Sequence, residues 1–204
     1  MTDCLDDAFY CRPTVAVARD LVGMRLVRTL VMDGLTSRLS GTIVETEAYG
    51  GADDPASHAR MGPTPRNSVM FGEAGRAYIY FTYGSHFCIN VTARSPKQPA
   101  GAVLIRALEP TEGIGLMKLN RAQDDLYSLA SGPGKLTRAM GINRLLNGVE
   151  MTSPKSGLCI EQGTPPRRII STPRIGITRA TDKRWRFVNL ASPHVSRKVR
   201  IKVR

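Results

Sequence analysis

The chain has no apolar run near the ~20 residues that a bilayer-spanning helix requires, which excludes a transmembrane helix. Its first residues, Met-Thr-Asp-Cys-Leu-Asp-Asp, are acidic and have no apolar h-region, so they do not read as a secretory signal. Only four cysteines are present (Cys4, Cys11, Cys88, Cys159), and no two form a CxxC pair. That spacing suits neither a disulfide framework nor a zinc site, and reduced thiols in a cytosolic protein are expected. Internal repeats and low-complexity tracts are lacking. Acidic residues are nearly missing from one end. Residues 164–204 hold 12 Lys and Arg against the single acid Asp182, whereas residues 1–163 hold 17 against 16. A net +11 confined to one segment reads either as a solvated basic tail or as the footprint of a polyanion. Ile169, Ile170, Ile175, Ile177, Trp185, Phe187, Val188 and Leu190 are interspersed with those arginines. The segment is therefore expected to fold, with one basic side.

At 204 residues, 42% of them apolar, the chain can bury one sizeable core, and one domain over 1–204 is expected. Residues 13–23 read as a short helix, with Val15, Ala18, Leu21 and Val22 at helical spacing and Gly23 as its stop. Residues 24–32 read as a strand, and Asp33-Gly34 as a hairpin turn into a second strand over 38–49. That strand, Arg-Leu-Ser-Gly-Thr-Ile-Val-Glu-Thr-Glu-Ala-Tyr, is rich in β-branched residues and free of Pro. Strict alternation puts Ile43, Glu45, Glu47 and Tyr49 on one face. A solvated face would account for the two carboxylates but not for Ile43 and Tyr49. The Glu47 end therefore reads as the floor of a reactive pocket.

Residues 50–75 form a long aperiodic segment rich in Gly, Pro, Asp and Arg, of the kind that is usually functional or disordered. It carries His58 and Arg66. His58 is either a surface residue or a group folded back over the Glu47 pocket. Residues 76–83 form an aromatic strand, Gly84-Ser85 a turn, and 86–93 the returning strand, in which Asn90 lies opposite the apolar face of Phe87, Ile89 and Val91. Tyr83, at the tip, either folds onto a neighbour or projects as a wedge. Residues 102–108 form a buried strand containing Arg106, and a buried arginine needs an acid or a phosphate. Glu45, Glu47 and Glu109 are the candidates. A helix is expected over 110–122 and a loop over 123–130. Ser131-Gly-Pro-Gly-Lys135 then opens a helix reaching Met140, either as a plain cap or as a grip for a backbone phosphate. It is not a P-loop, because Leu136 follows Lys135. The last strands are expected within 157–161 and 174–190.

Aromatic side chains together with cations suit stacked nucleobases and phosphates. A lone carboxylate beside stacked rings suits the activation of water against an N-glycosidic bond, where general-base help supplies ~10²–10⁴-fold. An enzyme acting on a base within a duplex must extrude it, and Tyr83 could fill the gap left in the stack. No lysine lies near these motifs, so a Schiff-base lyase step is not expected. Metal-ligand spacing is also missing, so no metal is expected. Two rival readings stand. One is a non-enzymatic basic nucleic-acid-binding module. The other is a nucleoside hydrolase using Glu45 with Glu47, although two carboxylates two residues apart on one strand face are poorly placed to flank a bond.

The segment Ile43-Val-Glu-Thr-Glu-Ala-Tyr49, with His58, Thr64-Pro-Arg-Asn67, Tyr80, Tyr83-Gly84, Phe87-Cys-Ile-Asn90, Leu104-Ile-Arg-Ala-Leu-Glu-Pro110 and Ser131-Gly-Pro-Gly-Lys-Leu136, resembles the alkyladenine (3-methyladenine) DNA glycosylase family over about residues 9–193. The resemblance implies an α+β fold, a single mixed domain with a curved antiparallel β-sheet, flanking helices and a protruding β-hairpin. It implies a monofunctional, cofactor-free hydrolase of base excision repair acting on alkylated purines in double-stranded DNA. Glu47 would be the general base, with Arg106 and the main chain at Ile175 completing the cradle of the water. Tyr49 would stack on one face of the extruded base, and His58 and Tyr80 on the other. Asn90 would crowd the position of a guanine amine, Tyr83 would intercalate, and Arg66 and Lys135 would meet the DNA backbone. A monomer of bacterial type, cytoplasmic and nucleoid-associated, without a long N-terminal extension, is expected. His86 after the wedge and the basic C-terminus depart from the mammalian pattern.

Overall fold

Strand β2, Leu35–Tyr49, is the spine of the molecule. Its β-branched residues favour extended backbone, and it has partners on both edges. The computed structural model describes residues 4–32, 34–82 and 84–199. In chain order these residues form helices α1 (Asp7–Tyr10) and α2 (Thr14–Asp20), strands β1 (Arg25–Met32), β2, β3 (Ala77–Thr82), β4 (His86–Thr92) and β5 (Ala102–Glu112), helices α3 (Ile114–Arg121), α4 (Leu126–Leu129) and α5 (Pro133–Ala139), and strands β6 (Leu158–Glu161), β7 (Ile169–Thr172) and β8 (Arg186–Asn189). The strands form one antiparallel sheet in the order β3-β4-β5-β2-β1-β6. β1 pairs with β2 along its first half, up to Thr42, and β8 takes over that edge at Glu45–Glu47, bringing β7 with it. The sheet thus curls into a half-barrel, giving the α+β fold expected from the sequence.

The core lies between the sheet and the helices. Val17, Ala18, Leu21 and Val22 from α2 and its C-terminal turn pack on Leu26, Ile43, Ala48, Ile105 and Leu108, while Leu136, Ala139 and Met140 close another part of the same cluster. The buried Thr46 hydroxyl donates to the Ala18 carbonyl at 2.6 Å, pinning α2 to the spine without leaving a polar atom unpaired. None of the four cysteines is in a disulfide. Among the described residues no helix is long and apolar enough to cross a membrane.

The main difference from the sequence reading lies after Leu108. Residues 110–112 continue β5, Gly41 pairing with Pro110 and Ser40 with Glu112 across a register shift, and the helix starts only at Ile114. The bulge is where a sheet tolerates a residue with no N–H to give. Gly113 makes the turn at φ 71°, where a side chain would run into the Arg38 carbonyl and Leu39. The expected loop 123–130 contains the short α4, capped by the Asp125 carboxylate accepting from the Tyr127 amide at 3.1 Å.

Candidate active site

Pairing of β2 with β5 shifts between Ile43 and Glu45 and again between Glu45 and Thr46, leaving Val44 and Arg106 without cross-strand partners. An extra residue reverses the parity of a strand. Ile43 therefore joins the apolar core with Ala48, rather than sharing a face with Glu45 and Glu47 as strict alternation had it. On β5 the same irregularity sends Ile105 and Leu108 into the core and turns Arg106 the other way, toward the carboxylates. Of the three candidate acids, Glu45 and Glu47 are the partners of Arg106. Glu109 instead accepts from the Ser192 hydroxyl at 3.4 Å.

Glu47 is fully buried, and every group on it is a donor. Its Oε1 accepts from the Ile175 amide at 2.7 Å. Its Oε2 accepts from the Tyr49 hydroxyl at 2.8 Å and from Arg106 Nη1 at 3.1 Å. A carboxylate has about four acceptor sites. Three are filled, and the one left is on Oε1. Burial pushes the Glu47 carboxyl above its ordinary value, and Glu45 acts in the same direction. Arg106, the Ile175 amide and the Tyr49 hydroxyl pull it back. Burial, with Glu47 beside it, lifts the Tyr49 phenol far above its usual range, so it stays a donor.

All three donors to Glu47 also line a cavity of about 520 Å³. Its walls include His58, Tyr78, Tyr80, Cys88, Asn90 and Lys135. His58 and Tyr80 meet edge to face, ring centres 4.6 Å apart, and His58 Nδ1 is 2.9 Å from the Tyr78 hydroxyl. Burial and the nearby Arg66 lower the His58 pKa, which keeps the ring neutral at physiological pH. Burial raises Tyr78 to about 12 and Tyr80 further, so both phenols are uncharged. Asn90 gives its amide to the Tyr78 carbonyl at 2.9 Å, which fixes its carboxamide at the wall while Ile89 and Val91 face the core. Lys135 stands at the rim in the first turn of α5. Arg66 is not a lining residue. Its guanidinium lies 5.6 Å from the Tyr80 ring and donates to the Phe81 carbonyl at 3.3 Å. Tyr83, in the segment joining β3 to β4, lies outside the described residues.

Three participants were missed by sequence reasoning. Asp54 and Arg174, both fully buried, form a two-pronged ion pair at 2.6 and 2.7 Å. The same guanidinium lies 4.7 Å from the Tyr49 ring and 5.2 Å from that of Trp185. It thus backs the wall that carries Tyr49 and holds the segment from which Ile175 reaches Glu47. Arg121, like Lys135, lines the cavity and has no acidic partner among the described residues. No spacing rule could have found Asp54 and Arg174, which lie 120 residues apart. Among the described residues no group of three or more His, Cys, Asp and Glu is arranged to hold a metal.

Fold and site together place the buried carboxylate of Glu47 behind a cavity lined by its three donors and by aromatic rings. The family model for methylpurine-DNA glycosylase matches residues 8–193. A protein of Prosthecochloris aestuarii named "Putative 3-methyladenine DNA glycosylase" is 47% identical over 93% of this chain and 89% of its own. Proteins of the same name are 47% identical in Methanoculleus marisnigri, over 95% and 99%, and 44% identical in Granulibacter bethesdensis, over 96% and 93%. The chain belongs to the methylpurine-DNA glycosylase family. It is thus a DNA repair glycosylase, a hydrolase of the N-glycosidic bonds of damaged bases, and its substrate is DNA.

Proposed function

We propose that this chain, as a single-domain monomer, removes alkylated purines of the 3-methyladenine type from double-stranded DNA, with hypoxanthine and ethenoadenine as further candidates. The observation that carries the reading is the free acceptor site on Glu47 Oε1, in a carboxylate whose three donors all line the cavity. A water bound there gives a proton to Glu47 as its oxygen attacks C1′ of the sugar. The bond from C1′ to the base nitrogen breaks, and its electron pair leaves with the base. An alkylated base is already cationic and departs neutral, so neither a strong acid nor a cofactor is needed. The anionic Glu47 also offsets the positive charge growing on the sugar.

Specificity follows from the walls. Tyr49 stacks on one face of the extruded base, and His58 and Tyr80 on the other. Asn90 occupies the space that a guanine amine would need. Tyr83 intercalates where the base has left, and Arg66 and Lys135 meet the phosphates. The reading takes the protein to the nucleoid in the cytoplasm, with no membrane partner. Glu47→Gln tests it: lesion-duplex binding is retained, and base release in single-turnover assays falls by about two orders of magnitude or more. Release at the wild-type rate would remove Glu47 from the mechanism. Cleavage of free nucleosides without a duplex would favour a nucleoside hydrolase instead.

A further inference from the structure

Glu45 is as buried as Glu47, but whereas all three donors to Glu47 line the cavity, only Arg106 among the donors to Glu45 does. The contacts of Glu45 run in two directions. Toward the site, its Oε1 accepts from Arg106 Nε at 3.2 Å. Away from it, Oε1 accepts from Arg186 Nε at 2.7 Å and from the Ser196 hydroxyl at 2.8 Å, and Oε2 accepts from the Ser196 amide at 2.6 Å. Arg186 in turn gives Nη2 to the Arg197 carbonyl at 2.8 Å and Nη1 to the Thr172 hydroxyl at 3.1 Å. Upstream, Ser192 reaches Glu109, and His194 is buried. Residues 192–197 are therefore tied down along their length. Ser196 and Arg197 also lie beyond residue 193, where the family model stops.

We propose that residues 192–197 act as a C-terminal strap that, through Glu45, fixes the guanidinium of Arg106 against the catalytic carboxylate, making Ser196 and Glu45 positioning residues for hydrolysis. The inference rests on the glycosylase reading of Glu47. Arg106 spends Nε on Glu45 and Nη1 on Glu47, so two carboxylates set its plane. Each carboxylate can hold that plane only while it is itself held. Glu47 is held by Ile175 and Tyr49. Glu45 is held by Arg186 and by the two donors of Ser196. Two glutamates and two arginines make the buried cluster neutral, and a buried ion set is stable only when every member is paired. Loosening Ser196 lets Glu45 turn, and Arg106 then no longer presents a fixed edge to Glu47 and its water.

The test uses the full chain and a methylated duplex. Ser196→Ala removes the hydroxyl donor and is expected to slow single-turnover base release about three- to tenfold, with lesion-duplex Kd within twofold of wild type. Ser196→Thr, which keeps the hydroxyl, restores the rate. Glu45→Gln lowers the rate about tenfold or more, again with little change in Kd. Release by Ser196→Ala at the wild-type rate overturns the strap, as does a slowed rate that Ser196→Thr does not restore, or one matched by an equal loss of affinity. If Glu45→Gln does not fold, the Ser196 pair decides alone. A wild-type chain that releases no base sinks the glycosylase reading, and the strap with it.

Discussion

Burial and hydrogen bonding pull on Glu47 in opposite directions, and in its proposed role as general base the balance sets how base release responds to pH. Burial wins, so the carboxyl titrates above its ordinary value of 4.5. A general base must be ionised. Base release should therefore hold on the alkaline side and fall as pH drops through that raised value, placing the acid limb of the single-turnover profile above 4.5. Tyr49→Phe removes one of the donors that hold the carboxylate down. It is expected to move the acid limb further up and to slow release several-fold at neutral pH, as a pH series on both proteins would measure. An unmoved limb would disconnect the hydroxyl from Glu47. At this scale the sequence was informative where chemistry is odd: two glutamates and a tyrosine on a strand, and an arginine inside an apolar one. It could not choose among three acids for Arg106, because that choice depends on where the β2 and β5 register shifts.

Elements hold the site together in ways that local patterns do not encode. The segment after β2 and the segment after β7 are joined by Asp54 and Arg174; the first carries His58 and the second Ile175, while Tyr49 is the last residue of β2 itself. Asp54 is pushed up by burial, but its bonds to Arg174, Gly50 and Ala56 outweigh this and hold it below its ordinary value. Its contribution to stability is thus complete above the unfolded value of 3.8 and lost as pH falls through the lowered folded value. Arg174→Met leaves a buried carboxylate unpaired and should cost about 3–5 kcal/mol, read from denaturant unfolding at neutral pH. A loss below about 1 kcal/mol would mean that the pair is not structural. The last strands were expected within 157–161 and 174–190; β6 and β8 fall there, β8 filling only Arg186–Asn189 of the second stretch, while β7, Ile169–Thr172, lies outside both. The earlier part of 174–190 is drawn out of regular structure because Arg174 and Ile175 give their donors to Asp54 and Glu47. Residues 110–112 read as a helix start because Glu112 would put an acid in the first turn. Pairing across a bulge overrode the local preference.

Over the whole molecule, charge is less concentrated on the surface than composition implies. Two of the 12 cations in 164–204, Arg174 and Arg186, are internal and paired with Asp54 and Glu45. They are structural rather than part of a polyanion footprint. Of the residues lining the cavity, by contrast, Arg121 and Lys135 have no carboxylate partner among the described residues. The logarithm of the affinity for lesion duplex should fall linearly with the logarithm of salt concentration. Arg121→Gln should weaken binding and flatten that line by about 0.9, the share of one phosphate. An unchanged slope in a salt titration would take Arg121 off the backbone.

The division of labour between the two sides of the cavity has a consequence for how such a repair enzyme could diversify. In the proposed mechanism the reacting oxygen is set by β2, β5 and the residues around Ile175, whereas the outline of the recess owes much to His58, Tyr78, Tyr80 and Asn90 from the 50–75 segment and the β3–β4 hairpin. Exchanging those latter pieces among relatives would retune which lesion is admitted and leave the bond-breaking apparatus intact, so breadth of repair and speed of repair could drift independently.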